Sequence, residues 1–286
     1  MVFNCTQNKL KGSFTMKKFA AILLSFLMMT NLAIFTSFAQ SADVEITSLE
    51  TLPEKQWGYL EGVAVSAPEA VATNTNIADL SLNPVWEGID GFNFGDKPEG
   101  NELVAYTATY TAPDGYIFAD ALAAATENTT LSADKKVLTY KFYTYVIPSD
   151  AIYIDDKGTN STDDYAEGNL ARPYGTIDYA MELLESKGGG VIVIVDKVTE
   201  TASGKISESI TKKGHYTIIG WDKDSTLETT GHYNLRGNMT IRDLNYTMSK
   251  KDGGIYLNGF SLTFGDKNYT DLTVSSGAEG TTSRYS

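Results

Sequence analysis

Arg242 and Asp243 stand side by side, and Asp266 follows Asp243 by 23 residues. A guanidinium and two carboxylates can move a proton and steady developing charge, provided the fold brings them within reach of each other. Arg236 lies a short step upstream. The spacing has chemical meaning only if the chain repeats with that period, so that Asp243 and Asp266 fall on neighbouring strands. Acids stacked in that way are otherwise an ordinary solvated face, and both readings stay open on the sequence.

A second group of acids, Asp155, Asp156, Asp163 and Asp164, flanks one polar loop, and Asp222 and Asp224 sit two apart. Calcium takes several oxygens from short side chains and carbonyls, so the first group is a possible calcium site. Neither stretch has the EF-hand spacing with its glycine, and a solvated loop is the competing reading. Zinc has too few donors: the histidines are His215 and His232, and the one cysteine is Cys5. His215 alternates with apolar residues entering a strand and reads as a strand histidine with a satisfied ring. No nucleophile elbow is present to seed a Ser-His-Asp triad. Among Trp57, Trp86 and Trp221, Trp86 reads as core. Trp221, in the turn after Ile218-Ile219-Gly220, is the candidate for stacking on a sugar face.

These groups need a frame. Of the 286 residues, the first 15 read as an upstream extension. Met16-Lys17-Lys18, an apolar run from Phe19 to Met29, and small residues at Ser37 and Ala39 have the order of a secretory signal peptide cleaved after Ala39. An uncleaved anchor is the alternative, but Thr30 and Asn31 interrupt the run. No cysteine follows it, which argues against a lipoprotein. Segment 1–39 is therefore expected to leave a secreted or cell-surface bacterial chain with no thiol and no membrane insertion, stabilised by packing alone. The net charge of −13 argues against nucleic acid and anionic lipid as partners.

Two modules are expected after that segment, 43–148 and 151–286, folding separately with a boundary at Ser149-Asp150. In the first, Tyr106, Ala108 and Tyr110 alternate with threonines, the period-2 pattern of a strand. Pro113-Asp114-Gly115 is a turn, and Leu138, Tyr140 and Phe142 share a face of a later strand. Short strands separated by turns read as a small β-sandwich. In the second, Ile177, Ala180, Met181 and Leu184 recur as one face of a helix that Pro173 precedes and Gly188 follows. Val191 to Val195 then reads as a strand buried on both faces.

Tyr216-Thr217-Ile218, Met239-Thr240-Ile241 and Leu262-Thr263-Phe264 recur every 23 residues, and Gly231 and Gly254, each with a tyrosine two residues on, keep the same step. Short apolar strands at that period describe coils that bury their inner faces only by stacking.

The first module, through Val85-Trp86, Ala105 to Thr109, Asp114 to Phe118 and the Asp134-Lys135 hairpin, resembles an immunoglobulin-like repeat of large secreted bacterial proteins. The second, through Ile152-Tyr153-Ile154, Gly158, Pro173 to Ile177 and Ala180, resembles the start of right-handed parallel β-helix proteins of the pectate-lyase-like superfamily. The resemblance implies a mostly β fold: an Ig-like sandwich, then a β-helix capped by the 177–184 helix. With about four coils and a polar tail from Ser275, the solenoid is expected to continue beyond this chain. It also implies two chemistries, a lyase with carboxylate-bound calcium and an Arg or Lys base, or a hydrolase with paired aspartates. Asp243, Asp266 and Arg242 are the matching candidates. The leading expectation is non-catalytic: adhesion or contact with a polysaccharide or with host or cell-wall glycan. A lyase or hydrolase whose catalytic coils lie further along is the alternative, and a structural stalk is the third.

Overall fold

The computed structural model describes residues 42–124, 128–157, 167–201, 214–230, 232–249, 254–265 and 272–276. The signal-like segment 1–39 and the acids Asp163, Asp164 and Asp266 lie outside them. The described chain is mostly β. Before residue 150 come β1 (Val44–Ile46), β2 (Thr73–Asn74), β3 (Ser81–Leu82), β4 (Val85–Ile89), β5 (Leu103–Thr111), β6 (Tyr116–Phe118), the single helical turn α1 (Asp120–Ala123), β7 (Thr129–Leu131) and β8 (Val137–Tyr145). After it come β9 (Ile152–Ile154), α2 (Ile177–Glu185), β10 (Gly189–Ile194), β11 (Lys197–Thr201), β12 (His215–Gly220), β13 (Thr226–Thr230), β14 (His232–Asn234), β15 (Asn238–Ile241), β16 (Leu244–Met248), β17 (Gly254–Tyr256), β18 (Leu262–Phe264) and β19 (Leu272–Ser276).

The first half is built on an antiparallel sheet of order β4-β5-β8-β7. Its inner face follows from the alternation: Tyr106 lies opposite Phe142, Ala108 opposite Tyr140 and Tyr110 opposite Leu138. Cross-strand aromatic pairs of this kind hold a sheet together through packing area and ring geometry. Trp86 completes the face, its ring 5.9 Å from Tyr106 and 5.8 Å from Phe142. Ile46, Leu82 and Phe118, from strands outside this sheet, close the same core. The expected turn forms where proline fixes φ and Gly115 takes a φ of 82°.

Every described sheet of the second half is parallel. Its sheets are ordered β18-β15-β12-β10-β9, β11-β13-β16-β19 and β14-β17. From β12 to β19 the chain visits the three in strict rotation. In the five-stranded sheet the expected register holds, with Ile218 beside Ile241 and Ile241 beside Phe264. The other sheets keep a different count. Leu227 pairs with Tyr246, 19 residues on, and Tyr246 with Val274, 28 on. In the third sheet Tyr233 pairs with Ile255 and Asn234 with Tyr256. Gly231 lies outside the described residues, and the tyrosine echo is not a structural equivalence: Tyr233 packs against the core while Tyr256 stands 51% exposed.

Helix α2 lies over this core with Ile177, Ala180, Met181 and Leu184 all buried. Thr176 caps it by accepting from the Tyr179 N–H at 3.3 Å. The triple glycine is only partly a turn. Gly188 turns, with a φ of 78°, whereas Gly189 and Gly190 already belong to β10. A Cβ at Gly189 would collide with the His215 carbonyl, and one at Gly190 would sit 2.9 Å from Leu184. Close approach of neighbouring backbone and of the helix, besides the turn, is what demands glycine here. Beyond them β10 is buried on both faces: Ile192 and Ile194 face the helix-covered core, and Val191 and Val193 pack with Ile147, Ala151 and Ile219.

Candidate functional site

Arg242 and Asp243 form the tight connection between β15 and β16. Asp243 adopts a φ of 52°, a left-handed conformation that aspartate tolerates better than most residues. Its carbonyl accepts from the Gly220 N–H at 2.9 Å, and the Arg242 N–H donates to Ile218 at 3.1 Å. Both side chains point into protein. Asp243 is 4% exposed and Arg242 7%. The Asp243 Oδ1 lies 2.7 Å from Lys55 Nζ, and that ammonium sits 4.1 Å from the centre of the Trp57 ring. The Arg242 guanidinium lies 3.3 Å over the Tyr145 ring, with a buried Nε that has no hydrogen-bond partner. The two groups expected to move protons are therefore engaged with residues from the first half of the chain.

Trp221, the candidate for sugar stacking, is half-buried in the same region. It meets Tyr153 edge-on at 6.0 Å, and a Cβ added at Gly58 would lie 3.0 Å from its ring. It packs with Ile147, Val191 and Ile219. One end of the sheet face is thus closed over the indole by the chain itself.

A second charged cluster escaped the sequence reading apart from Arg236. Glu200 points inward from β11, at the register position of Thr229. Its Oε1 accepts the Ile177 N–H at the start of α2, at 3.0 Å. Asp178, one residue on, pairs with Arg236. Burial raises the pKa of the Glu200 carboxyl, and Asp178 and Asp156 push it the same way, against the Ile177 N–H and Arg236. Burial likewise holds Tyr233 well above the usual tyrosine range. A carboxyl with a raised pKa on an inner face is the kind of group that can serve as an acid. Here the Glu200 oxygen is bound to a helix N-terminus, which makes it a clasp on α2. The signal available in the sequence was the alternation Val198-x-Glu200, which places an acid on an inner face.

The possible calcium acids are also engaged where they are described. Asp155 Oδ1 accepts the Lys157 N–H at 3.0 Å. Asp156 accepts both the N–H and the hydroxyl of Thr199, at 2.8 and 2.9 Å. Asp222 Oδ1 accepts the N–H groups of Asp224 and Ser225, each at 3.0 Å, an Asx turn that explains the two-residue spacing. Among the described residues no group of three or more His, Cys, Asp or Glu could hold a metal ion. Among them, too, no helix is long and apolar enough to cross a membrane.

The outer face of the five-stranded sheet beyond this closed end is polar and regular. Thr217, Thr240 and Thr263 stand in register on β12, β15 and β18. Beside them His215 Nε2 is 2.8 Å from the Thr240 hydroxyl, and Ser261 donates through its N–H and its hydroxyl to Asn238 Oδ1, both at 3.0 Å. Scans with protein-family profiles and searches of characterised proteins and of solved structures find no match to this chain.

Proposed function

We propose that this is a secreted or cell-surface bacterial protein, an Ig-like β-sandwich followed by a right-handed parallel β-helix capped by α2, that contacts glycan without catalysis. The rotation of the chain among three parallel sheets is in keeping with stacked coils. The Trp86-centred aromatic face is in keeping with a sandwich core. The observation that carries the binding reading is the in-register polar array of His215, Asn238 and Ser261 beside Thr217, Thr240 and Thr263. Rigid strands hold these short donors and acceptors at the strand spacing, so little side-chain entropy is lost when a polymer lies along them. The burial of Asp243 against Lys55 weighs against the alternative, a polysaccharide lyase or hydrolase.

The test offers pectin, alginate and host glycans to the full chain, with and without calcium, and reads both retention and release of unsaturated or reducing ends. Retention that falls about tenfold in a Thr240→Arg variant, with no ends released, is the expected result. Ends released in a manner abolished by Asp243→Ala would replace this reading with the enzyme. Neither retention nor release would leave a structural stalk.

A further inference from the structure

We infer that the segment Glu54–Glu61 is a strap that joins the antiparallel first half and the parallel second half into one cooperative, rigid unit, with the buried Lys55–Asp243 pair as its lock. The segment has almost no secondary structure of its own; only Leu60 makes an isolated bridge, to Ile147. It is nonetheless fixed from both sides. Toward the first half, the Gln56 N–H donates to the Tyr106 hydroxyl at 2.7 Å, the Ile147 N–H donates to Tyr59 at 2.7 Å, and the Ser149 N–H donates to Glu61 at 2.7 Å. Toward the second, Lys55 reaches Asp243 at 2.7 Å, Glu54 reaches Lys223 at 3.3 Å, and Gly58 lies against the Trp221 ring.

The chemistry of these contacts decides which of them matter. Lys55 and Asp243 are 9% and 6% exposed at their side chains, so solvent does little to compensate either charge when the other is removed. Glu54 and Lys223 are 73% and 59% exposed, where solvent competes for both groups. Gly58 has a φ of 69°, and a Cβ there would lie tight against the indole at 3.0 Å, so the strap backbone runs flush against the ring. Ile147 and Ala151, from the joining segment, share a buried cluster with Val191, Val193 and Ile219 of the parallel sheet. Separating the halves would expose that cluster and break the lock together. A joint with an apolar centre and a desolvated ion pair does not behave as a free linker. This inference runs against the expectation that the two halves fold separately, and it stands whatever the protein binds.

The test is made on the full chain, by calorimetry together with hydrogen exchange at Leu103–Thr111 and Gly189–Ile194. The wild type is expected to unfold in one transition, with the two strands exchanging at similar limiting rates. Asp243→Asn keeps a residue suited to the left-handed φ and removes the charge. It is expected to split the transition, or to speed exchange in one strand about tenfold more than in the other. The charge-neutral double variant Lys55→Met, Asp243→Asn leaves neither charge buried alone and is expected to recover most of the loss, which separates the ion pair from a general failure to fold. Glu54→Ala, at the exposed pair, is the control and should leave one transition. Two transitions in the wild type, one unshifted transition with unchanged exchange in Asp243→Asn, or a double variant no better than Asp243→Asn, would overturn the inference.

Discussion

Glu200 is an acid on an inner face, and its protonation is tied to helix α2. Its pKa is raised from the ordinary value of 4.5, chiefly by burial. In the interval above that value the folded state therefore holds a proton that the unfolded chain has released. The contribution of Glu200 to stability is fully present below about pH 4.5 and is lost as pH rises through the raised value. A glutamine keeps an oxygen for the Ile177 N–H and carries no charge at any pH. Glu200→Gln is therefore expected to match the wild type at pH 4 and to be the more stable protein at pH 7, read as thermal midpoints at the two pH values. A variant destabilised more at pH 7 than at pH 4 would show instead that the carboxylate is needed for its charge. At this scale the sequence displayed Arg236, Arg242 and Asp243 but none of their partners. Lys55 and Asp243 meet across 188 residues, Arg236 and Asp178 across 58, and no local spacing encodes such pairs.

Elements whose periodicity is local were the legible ones. The 177–184 helix is written in four apolar residues at helical spacing, and all four are buried. Strands β5 and β8 are written in alternation that survives as cross-strand pairs. The 23-residue period was legible in one sheet and misleading in the third, where the echo is shifted by one residue and Tyr256 turns outward. A one-residue slip reverses every side chain, and only pairing partners fix it. Leu184 offers a clean test of what α2 contributes. It is 1% exposed and packs against the Gly190 backbone, so Leu184→Ala removes buried methyl groups from a site with little room to collapse. The expected loss is about 2–5 kcal/mol in denaturant unfolding, against less than about 0.5 kcal/mol for Leu183→Ala. Leu183, at 39% exposed on the same helix, separates packing from helix propensity. Equal effects at the two positions would mean that α2 is not a packed cover.

At the scale of the molecule, charge is the property the sequence states most directly. The chain carries 36 acidic and 23 basic side chains, and between residues 43 and 148 there are 16 acids against 5 lysines. Two effects of salt oppose each other. Screening weakens pairs such as Lys135–Asp120, Lys157–Asp196 and Lys187–Asp150, but their acids are 59–77% exposed and such pairs contribute little. Screening also relieves repulsion among the unpaired acids, which act over the whole compact chain at a Debye length of about 30 Å in 10 mM salt and only about 8 Å at 150 mM. With a net charge of −13 the repulsion is the larger effect, because folding concentrates that charge and unfolding disperses it. The thermal midpoint is therefore expected to rise between about 10 and 150 mM sodium chloride, toward the screening length of a physiological medium. A midpoint that falls over that range would mean that the ion pairs, and not the excess of acids, govern the electrostatics. Magnesium and calcium chloride at equal ionic strength extend the measurement to the acids around Asp155. Equal midpoints in the two salts are expected from screening alone, whereas a further rise confined to calcium would be the linkage signature of a bound cation.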